Sequence, residues 1–317
     1  MNYYDFFNGD ADGIISLHQY RMHHPQNSEV FTGVKRDVKL LRHCVDIHSS
    51  KFTVFDISLL SNKDYVNKIL SNGNTIRWFD HHEPGDTELG ENFEIFVDAD
   101  PNCCTNILVD KFLEGLYRPW TICGAYGDNL HEQAEKLNPN FSNENMRKLK
   151  EIGETLNYNG YGNKESDLTV HPKDVYLDIK NYESPFQYRK KSEVYNKIFT
   201  QMKSDESELS SSEILHDSDI GKVILLPNST ASIRYSGIYS NQQTTNSPNK
   251  AFAILTLVGE DNYRISIRSP KNNPYGASKL ALQFPTGGGR EKAAGINELP
   301  INQLQNFIEK FEKVYGV

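Results

Sequence analysis

Along the first 130 positions the chain repeats one pattern, a short apolar run that ends in acidic or polar residues and is followed by a longer amphipathic stretch. The runs at 3–7, 52–55, 76–79 and 95–97 are rich in aromatic and β-branched residues, as buried strands are. Between them, 14–23, 38–45, 65–70 and 105–113 place apolar residues at helical spacing. This alternation predicts an α/β fold with a parallel sheet and helices on both faces. In open sheets of that kind ligands bind outside the carboxyl ends of the strands. At those ends stand Asn8-Gly9-Asp10-Ala11-Asp12-Gly13, Asp56, and Phe79-Asp80-His81-His82-Glu83-Pro84. A further acidic string, Gly124 to Asp128, follows the apolar stretch that starts near Trp120.

The texture changes later in the chain. A charged helical stretch at 186–202 leads into 203–219, where Ser, Asp and Glu dominate and no apolar period survives. The expected organisation is a first domain at 1–185, a linker helix and flexible segment at 186–219, and a smaller second domain at 220–317. In the second domain, 251–269 reads as a hairpin turning at 259–262, 241–250 as a polar loop and 301–315 as a closing helix. The segment 156–162 reads as a turn-rich loop packed on the first domain, or alternatively as a base-stacking platform. No internal repeat is visible.

Each acidic string is ordinary when taken alone. Asp-x-Asp-Gly suits a solvated turn, Asp56 could cap a helix, and Asp128 could lie on a solvated helix face. Together they put five carboxylates at one sheet edge, where they would repel one another unless a cation sat among them. Oxygen donors with imidazole and no thiolate favour manganese or magnesium over zinc or iron. Five Asp and a His suffice for two ions that share a bridging carboxylate, an arrangement suited to water activation and in-line displacement at phosphorus.

At this point the residues resemble a known family. Asp10-Ala11-Asp12-Gly13, Asp56, Asp80-His81-His82 and Gly124 to Asp128 resemble the four ordered motifs of the DHH phosphoesterases. Ile265 to Ser269 and Thr286 to Gly295 resemble its DHHA1 subfamily. The resemblance implies an N-terminal parallel-sheet DHH domain linked to a smaller α/β DHHA1 domain. It implies two Mn2+ ions, or Mg2+ or another divalent ion: Asp10 on the first, Asp56 bridging, and Asp12, His81 and Asp128 on the second. Asp80 would orient its neighbours and His82 would face the substrate phosphate. Asn8 stands where many relatives carry a metal-binding His, and Arg290 where the glycine-rich motif often continues with His. Short oligonucleotides or linear dinucleotides, cut to mononucleotides, are the substrates expected. The alternatives are 3′-phosphoadenosine 5′-phosphate, or a nucleotide sensor with weakened catalysis.

The glycine-rich string has its own physical reading. Gly287, Gly288 and Gly289 would let backbone amides approach an anion, with a helix start after them adding a favourable dipole. A plain flexible loop is the competing reading. Arg290 could hold phosphate bidentately, and Arg268 lies on the second strand of the expected hairpin.

Composition sets outer bounds. The chain has 317 residues, enough for two domains, and a net charge of −8, which argues against a broad surface for long duplex nucleic acid. No apolar run approaches a membrane span, so a cytoplasmic protein without a membrane partner is expected. Whether it forms a homodimer is left open. Cys44, Cys103, Cys104 and Cys123 lack metal-ligand spacing and read as reduced apolar residues, with Cys103-Cys104 at a helix start. His23-His24 reads as a solvated pair at a helix end, and His171 as a loop residue close to the acidic strings.

Overall fold

The computed structural model describes residues 1–85 and 89–316. They form two compact units, Met1–Gln201 and Met202–Val317. In chain order the first contains β1 (Tyr3–Phe7), α1 (Ala11–His23), β2 (Glu29–Phe31), β3 (Lys51–Phe55), α2 (Leu59–Ser71), β4 (Thr75–Asp80), β5 (Phe93–Val97) and α3 (Thr105–Phe112). The helices α4 (Arg118–Gly127), α5 (His131–Lys136), α6 (Asn143–Gly160), α7 (Pro172–Ile179), α8 (Pro185–Lys191) and most of α9 (Glu193–Glu208) follow.

The five strands are all parallel, in the order β2-β1-β3-β4-β5. Strand periodicity sends alternate residues to opposite faces. Phe6, Val54 and Trp78 stand side by side on one face, in a core with Leu59, Val66 and Ile69 of α2. Their neighbours Phe7, Phe55, Phe79 and Phe96 line the other face, where Tyr20 of α1 and Phe112 of α3 pack on the rings. The parallel sheet covered on both faces is therefore present, and every strand ends at the same edge. No helix among the described residues is long and apolar enough to cross a membrane.

The second unit holds β6 (Glu213–Asp217), β7 (Gly221–Leu225), α10 (Thr230–Asn246), β8 (Ala251–Val258), β9 (Asn262–Arg268), α11 (Ala277–Ala281), β10 (Gly287–Arg290), β11 (Ala293–Pro300) and α12 (Leu304–Tyr315). Its six strands run in the order β10-β11-β9-β8-β7-β6, with only β7 and β8 parallel. Ile265, Ile267, Leu280, Phe307 and Phe311 share its core, which places α11 and α12 over one face.

Several local expectations are corrected. Residues 38–45 form a single 3-10 turn, Leu40–Cys44, because the Asn62 amide takes the Val38 carbonyl at 2.5 Å and holds the chain there. The strand β2 was not expected, since three residues are too few to show a period. Residues 156–160 close helix α6 rather than forming a loop, and Tyr158 is fully buried, which removes it from any stacking surface. Asn159 keeps this turn-like sequence helical by bonding both Val170 N and Val170 O from its side chain.

The stretch 203–219 is also structured. It carries the end of α9, a 3-10 turn at Leu209–Ser211 and the strand β6, and the two units divide at 201/202 within α9. Its missing apolar period follows from β6 being an edge strand, with Ile214 exposed. Residues 241–246 belong to α10, where Ser240 and Thr245 bond carbonyls four residues back. The glycine string enters a β10–β11 hairpin, so a strand and not a helix comes directly after it. A Cβ on Gly287 would sit 1.8 Å from the Ala281 carbonyl of α11, and Gly289 has φ +135°, so packing and turn geometry both demand glycine.

Candidate metal centre

The acidic groups converge because three strand ends and two helix ends meet at the carboxyl edge of the first sheet. Asp10 caps α1 by accepting the Gly13 amide at 3.1 Å. Gly13 must be glycine, since a Cβ there would lie 2.2 Å from the Asn8 carbonyl. That close approach sets the first turn of α1 against the end of β1 and buries both Asp10 and Asp12. Asp12 accepts the amides of Thr105 and Asn106, at 2.8 and 2.7 Å, from the first turn of α3. Asp56 follows β3 with φ +56°, a left-handed conformation that costs a non-glycine residue about 1 kcal/mol or more. Thr105 Oγ1 donates to its carboxylate at 3.3 Å.

Asp80 is the last residue of β4. Its Oδ1 accepts the His81 amide at 2.9 Å and His82 Nδ1 at 2.7 Å, so it orients the two residues after it. His81 Nδ1 donates to the Cys103 carbonyl at 3.0 Å, which turns Nε2 toward the carboxylates as the ligand atom. That Nε2 lies 3.4 Å from Asp56 and 4.0 Å from Asp12. Asp128, at the C-cap of α4, completes the ring. Ligand atoms of Asp12, His81 and Asp128 all lie within 4.8 Å of one another, as do those of Asp56, His81 and His82.

The electrostatics of this cluster ask for a cation. Burial, with the Asp128 charge adding to it, pushes the Asp12 carboxyl up to about 7. Burial and the charges of Asp12 and Asp10 push Asp56 well above the carboxylate range, and burial raises Asp128. Burial alone would lower His81, yet Asp56, Asp12 and Asp128 hold a proton on it and push it up to about 11. A divalent ion would displace that proton and neutralise the same carboxylates. Asp80 Oδ2 and Asn8 Oδ1 are buried oxygens without hydrogen-bond partners. The oxygen-and-imidazole donors therefore fit a hard divalent ion. The thiols do not compete, since burial pushes Cys103 up to about 12 and raises Cys104 well above its ordinary value.

One site residue escaped the sequence reading. Lys35 follows β2 and places Nζ 2.6 Å from Asp10 Oδ2 and 4.0 Å from Asp128 Oδ1. Burial would raise the Asp10 carboxyl, but the Lys35 ammonium holds it below its usual value. The Asn8 amide group does not turn toward a carboxylate; its Nδ2 donates to the Lys35 carbonyl at 3.3 Å. The available signal was Val30-Phe31 before a glycine-containing loop, the same apolar-then-polar pattern in shortened form.

Other candidates fall elsewhere. His171 caps α7, and His23 and His24 end α1. A concavity of about 560 Å³ in the first unit is lined by Tyr3, Lys51 and Thr75 at the starts of β1, β3 and β4, away from the acidic edge. In the second unit Arg290 pairs with Ala293, and Ala293 with Arg268, so the two arginines share one face across three strands. Arg268 Nε donates to Asn241 Oδ1 at 3.1 Å and its Nη1 to Ser266 Oγ at 2.9 Å, while Arg290 is exposed. Gly288 is open to solvent.

No family model and no curated protein matches the sequence. Solved structures do match. A DHH domain described as belonging to a family of ribosomal proteins aligns with TM-score 0.60 at 12% identity, over 98% of this chain and 86% of the other. The exonuclease RecJ bound to manganese aligns with TM-score 0.59 at 14% identity, over 99% and 90%. A pGpG-specific phosphodiesterase, PggH from Vibrio cholerae, aligns with TM-score 0.59 at 11% identity, over 100% and 99%. Along nearly its whole length, then, this chain has the fold of the DHH-domain proteins whose ordered motifs its own acidic strings resemble.

Proposed function

We propose that the protein is a divalent-metal-dependent phosphoesterase that hydrolyses short oligonucleotides or linear dinucleotides to mononucleotides. The observation that carries this reading is the cluster of Asp12, His81 and Asp128, with Asp56 beside it, built around His81 Nε2. RecJ and PggH, which share the fold, are named as an exonuclease and a phosphodiesterase, and RecJ as binding manganese. Manganese is the ion proposed, with magnesium as its substitute.

Asp12, His81, Asp128 and Asp56 would hold the ion, which when bound supplies an activated water and Lewis-acid stabilisation of a phosphoryl oxygen. The protein's own groups do the rest. The Cys103 carbonyl fixes the His81 tautomer, and the Thr105 and Asn106 amides keep Asp12 aimed. Asp80 holds His82 through Nδ1, raises its proton affinity against the effect of burial, and leaves its 42% exposed ring to donate toward a phosphate oxygen. In the second unit the row of Arg268 and Arg290, with the open backbone from Gly287 to Gly289, is the proposed holder of a substrate phosphate.

Product analysis tests the reading. Purified protein with manganese is incubated with a linear dinucleotide, a short RNA, 3′-phosphoadenosine 5′-phosphate and inorganic diphosphate. Mononucleotides from the first two are expected. Orthophosphate from the adenosine bisphosphate alone would replace this reading with a phosphatase, and intact ligands throughout would overturn the hydrolase.

A further inference from the structure

Asp10 and Asp80 belong to neither cluster of three ligand atoms found among the described residues; Asp80 is taken up by His81 and His82, which leaves Asp10 to be explained. Its partner is already in place. Lys35 Nζ sits 2.6 Å from Asp10 Oδ2, 3.2 Å from Asn157 Oδ1 and 4.0 Å from Asp128 Oδ1, with the Tyr161 ring centroid 5.4 Å away. Two carboxylates, an amide oxygen and an aromatic face form a cage with the donors and field an ammonium group needs.

The backbone of Lys35 is pinned as well. Its amide donates to the Gly160 carbonyl at 2.9 Å, and its carbonyl accepts Asn8 Nδ2 at 3.3 Å. Asn8 is thus part of the mount for the lysine. Its remaining oxygen is a neutral dipole, a poorer cation ligand than imidazole or carboxylate. A divalent ion on Asp10 would have to displace the ammonium or lie against it, and like charges at that range repel strongly in a buried site.

We infer that the centre holds one divalent ion, on the side of Asp12, His81, Asp128 and Asp56, and that the Lys35 ammonium takes the place of a second ion on Asp10. A fixed ammonium neutralises Asp10 and would face a phosphoryl oxygen with a single charge, without supplying an activated water. This rests on the hydrolase reading but is tested without turnover.

The full chain is stripped with chelator and titrated with manganese, with bound metal counted by elemental analysis and calorimetry and the bound ions examined by electron paramagnetic resonance. The wild type is expected to take up about one manganese per chain and to show an isolated ion, whereas two-metal sites give a coupled pair. Lys35→Met combined with Asn8→His is expected to take up about two, with magnetic coupling. Two coupled ions in the wild type would overturn the inference and leave the hydrolase reading standing; no bound ion would overturn both. A folded double variant that still binds only one would remove Lys35 from the role. The wild-type count decides the number of ions even where the double variant fails to fold.

Discussion

Asp10 and Asp12 are two residues apart, on the first turn of one helix, and equally buried. Yet their surroundings drive them in opposite directions. Asp10 meets an ammonium from the loop after β2 and is held in its charged form, whereas Asp12, despite accepting two backbone amides, is pushed up to about 7 by burial and the neighbouring Asp128 charge. One half of the centre is neutralised by the chain itself and the other is left wanting a cation. A motif of two carboxylates is therefore not one site, and the partner each receives from a different strand or helix decides its chemistry.

The most damaging way to break this contrast is to empty the side that wants the ion. Asp12→Asn, His81→Ala or Asp56→Ala should each lower kcat/KM on the order of 1000-fold, beyond the 10–100-fold expected for removing an outer partner of a metal ligand. Chelation should abolish turnover in the wild type, and added manganese should restore it. Initial rates on a linear dinucleotide check both, and near-normal turnover in Asp56→Ala would remove that carboxylate from the mechanism.

Emptying the other side should show first in stability. Lys35→Met strips the partner from a buried carboxylate, which costs about 3 kcal/mol in the metal-free protein. Thermal melts should show the variant gaining more from manganese than the wild type does, because only the variant has a vacant partner on Asp10. Equal gains would mean that Lys35 leaves the metal-binding side of the centre unaffected.

The asymmetry between the halves also explains what the sequence could disclose. Asp10, Asp12, Asp56, Asp80 and His81 each end a strand or begin the helix after one, so the alternation of apolar runs with amphipathic stretches placed them at one edge. Lys35 was hidden because β2 has three residues, and a period needs more. Asn157 was hidden because Asn, Tyr and Gly within 156–162 read as a turn, although tertiary bonds hold 156–160 helical. The hairpin at 251–269 was legible from its turn residues at 259–262, whereas 203–219 was not, because an edge strand needs no apolar period. The glycine string was visible, but its packing against α11 depends on a contact that no local pattern encodes.

The two halves should also differ in their response to pH in the metal-free protein. Asp12 has its folded-state pKa raised from 3.8 to about 7, so its contribution to stability is present below 3.8 and is lost as pH rises toward 7. Asp56 and Asp128 are raised in the same sense. Asp10 is lowered, so its contribution is present above 3.8 and is lost only as pH falls below that value. These raised carboxyls should therefore lower the apparent Tm of metal-free protein by on the order of 5 °C between pH 4.5 and 6.5, a contribution set by these shifts and by the usual scale of Tm change. Asp12→Asn should flatten this slope and Asp10→Asn should not. Buried His18, lowered to about 4, pulls the other way over the same range, so the difference between wild type and Asp12→Asn is decisive, and no difference would mean that Asp12 is ionised in the folded protein without metal.

The smallest effect belongs to the second unit, and it separates holding a substrate from transforming it. Arg268 and Arg290 lie two strands apart on one face with Ala293 between them, at about 10 Å by strand spacing, but only Arg268 is tied down, by Asn241 and Ser266. An exposed guanidinium loses more entropy on gripping a phosphate than one already fixed by hydrogen bonds, so its net contribution is smaller. Arg290→Ala should raise KM about 10-fold, or ~1.4 kcal/mol, with kcat nearly unchanged, and Arg268→Ala should raise it further. Metal binding measured by calorimetry should stay the same in both variants. If either instead lost kcat at constant KM, the arginine row would be acting on the transition state, and the acidic centre could no longer be treated as the sole seat of the chemistry.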